Sequence, residues 1–144
     1  MARILIAVDG SSHSVKVAKA AIRQAAAYRR KPDLHLAYVH LPVPTLGGLI
    51  KPVGHGALQR YYREEGEDAL RSVKRLLDRA GLKCSMHIMV GPVAQSLASE
   101  AKKLKCDLIV MGTHGMGAVS GVLLGSVAAK TVHLARCPVV LVRE

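Results

Sequence analysis

The sequence predicts an α/β fold: a doubly wound, five-stranded parallel sheet with helices on both faces, built from residues 1–144 as one domain. Three observations predict it. Short apolar runs alternate along the chain with amphipathic stretches at helical spacing, in the order βαβαβαβαβ. Half of the residues are apolar while Phe and Trp are absent, so the core is built from Val, Leu, Ile, Ala and Met, the inventory of stacked helices and buried strands. The length of 144 residues suits one domain burying roughly two thirds of the surface its unfolded chain exposes.

Each element has its own signal. Arg3 to Val8 is a strand-like run that ends in Asp9-Gly10-Ser11-Ser12, a turn and capping sequence. Val15, Ala18, Ile22, Ala25 and Ala26 then repeat at three and four, giving a first helix from about Ser14 to Arg29. Pro32-Asp33 breaks it, and Leu34 to Leu41 reads as the second strand. Pro42 to Gly56 is rich in proline and glycine without periodicity, which predicts a long surface loop. Leu58, Tyr62, Ala69, Val73, Leu76, Leu77 and Ala80 define a second helix with Gly81 in the position of a C-terminal cap. Gly66 lies inside this pattern and weakens it.

Leu82 to Val90 alternates, with Leu82, Cys84, Met86, Ile88 and Val90 on one side and Lys83, Ser85 and His87 on the other, Met89 excepted. Such alternation marks a strand with one exposed face at a sheet edge. Gly91-Pro92 opens a third helix, with proline at its first position and a stripe of Val93, Leu97, Ala98, Ala101 and Leu104. Asp107 to Met111 is continuously apolar after its first residue, as a strand buried on both faces requires. Val122 to Ala135 has the small apolar pattern of a fourth helix, and Pro138 to Val142 is the last strand. Sheets of this kind bind ligands beyond the carboxyl ends of the strands where the winding reverses.

Charge and cysteines narrow the classes of function. Lys and Arg number 21 against 10 acidic residues, a formal charge of +11. The cations are spread over Tyr28 to Lys31, Arg71 to Arg75 and Lys102 to Lys105, interleaved with apolar residues at helical spacing. That pattern describes solvated helix faces, and without an aromatic stacking platform nucleic acid is not the expected partner. Cys84, Cys106 and Cys137 are odd in number and widely spaced, fitting reduced thiols and neither a disulfide framework nor a zinc site. No basic-then-apolar leader and no apolar run of about 18 residues occurs, so no membrane insertion and a cytoplasmic location are expected.

The segment with chemistry in it runs from Gly112 to Ser126, at the end of the buried fourth strand and leading into a helix. Glycines there bring bare N–H groups up to an anion, and the following helix offers unpaired N–H groups and a positive dipole end. It is not a P-loop, having no Gly-Lys-Ser/Thr, and its G-x-x-G-x-G spacing is not the dinucleotide fingerprint. The residues alone leave a second reading open, a loop whose glycines serve tight turns and close packing.

Gly112-x2-Gly115-x9-Gly125-Ser126 resembles the G-2x-G-9x-G-(S/T) motif of the ATP-binding universal stress proteins. Ile6-Ala-Val-Asp9-Gly-Ser, the Gly91-Pro92 helix start, Leu108-Ile-Val-Met-Gly-Thr-His-Gly115 and Cys137-Pro-Val-Val-Leu-Val142 resemble that family in order and spacing, over essentially the whole chain. The resemblance implies a Rossmann-like sheet ordered 3-2-1-4-5 and a bound ATP, with or without Mg²⁺. It implies that Asp9 meets the ribose hydroxyls, that Val39 meets the adenine through its backbone, and that Gly112 approaches the ribose or α-phosphate. Gly115, Gly125 and Ser126 would hold the phosphates, with Ala7, Val8, His40, Met111 and Val127 as neighbours. Tyr38 stands where the family often has His. His114 is read either as a phosphate contact or acid/base, or as a solvent-facing loop histidine, and the remaining histidines as incidental. Asp9 is also open to a reading as the N-cap of the first helix, a role that does not exclude the ribose contact.

The expected role is nucleotide-dependent signalling or stress adaptation with at most slow hydrolysis, because the carboxylate, nucleophile and cation that phosphoryl transfer needs are not displayed together. The alternatives are an ATPase or transferase, a module for AMP or a cyclic nucleotide, and a nucleotide-free interaction module. Val139 to Val142, apolar and at a sheet edge, is expected to pair with a second copy to give a homodimer.

Overall fold

A computed structural model describes residues 1–43, 55–115 and 124–143. The elements are β1 (Arg3–Ala7), α1 (Ser14–Ala26), β2 (Asp33–His40), α2 (His55–Arg79), β3 (Cys84–Val90), α3 (Val93–Lys103), β4 (Leu108–Gly112), α4 (Ser126–Leu134) and β5 (Val139–Val142). The five strands form one parallel sheet in the order β3-β2-β1-β4-β5, the expected Rossmann-like arrangement. Residues 44–54 of the expected loop, and Gly117, Gly121 and residues 122–123 of the expected fourth helix, lie outside the described residues. Gly56 belongs to α2, and Leu124 and Gly125 precede α4, so both boundaries move from their expected places.

The core lies in two layers, one on each sheet face. Ile4, Ile6, Leu34, Leu36 and Val110 meet Val17, Ala18 and Ala21 of α1 and Leu70, Val73 and Leu77 of α2. On the opposite face Leu5, Ala37, Ile109 and Met111 meet Leu97 and Ala101 of α3 and Ala128 of α4. Alternate residues of β1 and β4 therefore feed opposite cores, which is why their sequences are apolar without a break.

Three expectations change in detail. In α1 the buried face is Ser14, Val17, Ala18, Ala20, Ala21 and Ala25, and Val15 and Ala26 are exposed. The alanine-rich side lets the helix lie close on the sheet, and Val15 falls outside that contact. In β3 alternation does not translate into burial: Met86 and Val90 are exposed while His87 is half-buried. Pro92 is the N-cap of α3, with an extended ψ of 126°, and Val93 is the first helical residue.

The end of α2 forms as expected. Gly81 has φ +72°, its N–H donates to the Asp78 carbonyl, and the Leu82 N–H donates to Leu77. This double bond pattern satisfies the last helical carbonyls, and it needs the left-handed residue that glycine supplies. Gly66, by contrast, is present for space. It is buried against β3, and a Cβ there would sit 2.6–2.7 Å from three carbons of Ile88. The glycine that weakens the helical pattern is what lets α2 approach the edge strand.

A titratable pair lies between β2 and β3. Nδ1 of the buried His35 is 2.9 Å from Nε2 of His87, so one imidazole donates to the other. His87 Nδ1 is 3.2 Å from Glu100 Oε1 on α3. His35 Nε2 is 3.3 Å from Asp33 Oδ2 without hydrogen-bonding geometry. The sequence reading of these histidines as incidental is corrected here, since they tie the edge strand to its neighbour. Burial, and then His35, hold the His87 imidazole below the ordinary histidine value, against the opposing pull of Glu100.

Two predictions follow from this packing. Gly66→Ala gains about 1 kcal/mol of helix propensity but overpacks against Ile88 at a cost of roughly 1–3 kcal/mol, so urea denaturation is expected to show net destabilisation. Because the folded His87 resists a proton that the unfolded chain accepts below about pH 6.5, its contribution to stability is complete above that value and declines as pH falls below it. His87→Gln is expected to flatten that acid limb in denaturation midpoints measured from pH 7.5 to 5.

Candidate functional site

Where β1, β2 and β4 end, a cavity of about 610 Å³ opens beyond the sheet. Ala7, Val8 and Asp9 reach it from β1, and Val39 and His40 from β2. Met111, Gly112, His114 and Gly115 come from β4 and its following turn, and Gly125, Ser126 and Val127 from the start of α4. All the residues singled out from the sequence thus line one cavity. Sequence reading named Tyr38 only as a departure from the family's His, and missed Val93 and Leu97 of α3, Leu41 after β2, and His13, Ser14 and Val17 at the start of α1.

Asp9 divides its carboxylate between two tasks. Oδ1 accepts a hydrogen bond from the Ser11 backbone N–H at 2.9 Å and lies 3.5 Å from the Ser14 hydroxyl. Oδ2 is directed toward Gly115, where an added Cβ would come within 3.2 Å of it. The N-cap of α1 is His13, without a side-chain cap bond, so Asp9 is not the N-cap that the sequence also allowed. Gly10, at φ +81° and with Ala69 of α2 3.3 Å from where its Cβ would stand, makes the turn that orients the carboxylate.

The opposite side of the cavity is made of backbone. The Gly125 N–H donates to the Thr113 carbonyl at 2.7 Å, so the two ends of the glycine-rich segment are clamped together. A Cβ on Gly125 would stand 2.9 Å from that same carbonyl oxygen. Gly125 is also the N-cap of α4, with no side-chain cap bond and no acidic residue in the first turn. The first N–H groups of α4 therefore have no partner within the helix. Together with the exposed Ser126 they form a cradle for an anion. Val93, Leu97, Met111 and Ala128 supply an apolar wall.

Aromatic rings gather at the rim on the β2 side. The His40 ring lies 6.1 Å from Tyr38, 5.5 Å from Tyr61 and 4.9 Å from Tyr62, each edge-on. The Tyr62 hydroxyl accepts from the Val43 N–H at 3.0 Å, fixing the chain as it leaves β2. Burial, and then Glu65, push the Tyr38 phenol up, so it stays neutral. The three thiols are free. Burial raises each of them, Cys106 to about 11, which makes them poor nucleophiles at neutral pH. Among the described residues no group of three His, Cys, Asp or Glu side chains is placed to hold a metal ion, and no helix is long and apolar enough to cross a membrane.

Residues 1–143 match the sequence pattern of the universal stress protein family. The chain belongs to that family. A universal stress protein of Thermus aquaticus is 36% identical over 140 residues, covering 97% of each chain. Among solved structures, a universal stress protein of Methanocaldococcus jannaschii superposes with a TM-score of 0.81 at 25% identity, over 99% of this chain and 96% of its own. A universal stress protein solved in complex with cAMP is also 25% identical, with a TM-score of 0.68, over 99% of this chain and 96% of its own. The family fold is thus matched along essentially the whole chain.

The clamp between Thr113 and Gly125 generates a stability prediction. Gly125→Ala forces the two backbones apart and is expected to cost about 1–3 kcal/mol. Ser126→Ala, at an exposed side chain, is expected to change the denaturation midpoint by less than about 0.5 kcal/mol.

Proposed function

We propose that this universal stress protein binds an adenine nucleotide, ATP in the first place, and acts as a regulatory protein that carries it. The observation behind the reading is that Asp9 Oδ2, which accepts no hydrogen bond among the described residues, and the N–H groups opening α4, which have no partner within the helix, line the same cavity at the reversal of the winding. A nucleotide has a diol for the first and an anionic phosphate chain for the second. Asp9 accepts from the ribose hydroxyls, and the backbone of Val39 meets the adenine beside the apolar wall of Val93, Leu97 and Met111. Gly112 lies by the ribose or α-phosphate, and Gly115, Gly125 and Ser126 donate to the phosphates. Ala7, Val8 and Val127 close the sides, and His114 is placed at the phosphate end. A Mg²⁺ ion, where present, travels on the phosphates and neutralises them.

Carriage rather than turnover is favoured because, among the described residues, no Lys or Arg lines the cavity to stand over a γ-phosphate. A second reading, a cyclic-nucleotide module, is favoured by the cAMP complex of the family member described above.

The test is denaturation of purified protein with chromatography of the released nucleotide, followed by thermal shifts with ATP, AMP and cAMP. Intact ATP near one per chain is expected. At a hundredfold excess over Kd, ATP is expected to stabilise the fold by about 2.7 kcal/mol. Asp9→Ala is expected to weaken ATP by one to two orders of magnitude, as loss of about 1.5–3 kcal/mol from charge-assisted hydrogen bonds implies. It should weaken cAMP less, because the 3′-oxygen is esterified. Release of cAMP, or a cAMP shift exceeding that of ATP, would move the assignment to the second reading. No release and no shift with any of the three would remove the nucleotide.

A further inference from the structure

A second groove, of about 360 Å³, runs between α1 and β5, away from the nucleotide cavity. Its floor is Val140, Leu141 and Val142, and its walls carry Lys16, Lys19 and Arg23 of α1 with Arg143 just beyond β5. Among the described residues no carboxylate lines it. Among the described residues none of these four cations forms an ion pair or a side-chain hydrogen bond. Positions 16, 19 and 23 fall on one helix face, a row about 10 Å long.

β5 is an edge strand with one open side. The Pro138 and Val142 carbonyls accept from the Ile109 and Thr113 N–H groups of the neighbouring chain segment. Backbone groups alternate between the two edges of a strand, so those of Val139 and Leu141 point outward, ready to pair. Pairing of two such edges in antiparallel fashion has its two-fold axis perpendicular to the sheet. Each α1 then lies on the same face as its counterpart, and the two basic rows confront each other across one continuous groove. Among the described residues, four cations from each copy line that groove and no carboxylate does. Charges of one sign facing each other across a shared groove oppose the pairing that the strand backbones favour, the more so at low ionic strength.

We infer that this groove is a binding site for a multivalent anion of the oligophosphate class, completed when two copies pair along β5, and that the anion is what permits the pairing. A linear run of phosphates matches the linear row of Lys16, Lys19 and Arg23, and arginine at positions 23 and 143 offers bidentate donors to phosphate oxygens. The second copy occupies the strand edge itself, leaving the cationic layer above it to a ligand that needs no strand pairing of its own. The inference rests on the homodimer expected through Val139–Val142 and is independent of what fills the nucleotide cavity.

Sedimentation equilibrium of the nucleotide-free full chain at low ionic strength, titrated with sodium tripolyphosphate, tests it. The self-association constant is expected to tighten at least tenfold. The double variant Lys19→Glu/Arg23→Glu, in which attraction across the axis replaces repulsion, is expected to associate without tripolyphosphate and to lose the response. Ser126→Ala is expected to keep the full response, and the charge-reversed protein to keep its nucleotide-induced thermal shift, which separates this groove from the cavity. Four results would overturn the inference: a chain monomeric throughout, a dimer equally tight with and without tripolyphosphate, a response untouched by the charge reversal, or a response abolished by Ser126→Ala.

Discussion

The pairing of β1 with β4 is the constraint from which the rest of the molecule follows. Ile4 stands opposite Leu108 and Ile6 opposite Val110 at the point where the chain stops adding strands on one side of β1 and begins on the other. Because right-handed crossovers fix the side on which each helix lies, α1 and α2 cover one face and α3 and α4 the other. The turns that leave β1 and β4 depart in opposite directions and cannot cover the gap between them. Asp9 and Gly112 are the residues left at its two rims. A one-residue slip of either strand would exchange its two faces between the cores, so the same register that seals the interior also aims the carboxylate.

Much of this was legible in the sequence because the relevant signals are local. Uninterrupted apolar strands, helical stripes, Gly81 at a helix end and glycines after the fourth strand each depend on a few neighbouring residues. What was not legible depends on contacts between distant segments. His35 and His87 meet across 52 residues of chain, and nothing near either one announces the other. Val93 and Leu97 read as core residues of a third helix, and they are. Only the crossing of α3 over the sheet puts the same side chains on the wall of the cavity. Alternation in β3 misled because α2 and α3 cover an edge strand over only part of its length, so facing inward there does not mean being buried.

The absence of Phe and Trp shapes the interior in a second way. With no large rings to fill space, the layers come close together, and closeness is paid for at particular glycines. Gly66 is pressed against Ile88 and Gly125 against the Thr113 carbonyl. Both have ordinary backbone angles, and so differ from Gly10 and Gly81, which are needed for their left-handed φ. A sequence displays the two kinds identically. Only their surroundings separate a glycine that bends the chain from one that makes room for it.

The aromatic rim has an optical consequence. The chain contains no tryptophan and four tyrosines, and three of them, Tyr38, Tyr61 and Tyr62, gather around His40. Three of the four chromophores that dominate the near-ultraviolet spectrum therefore sit at one edge of the cavity, Tyr28 being the exception. A spectrum of the unlabelled chain is therefore weighted toward whatever sits beside that edge, with Tyr28→Phe leaving it a local measurement.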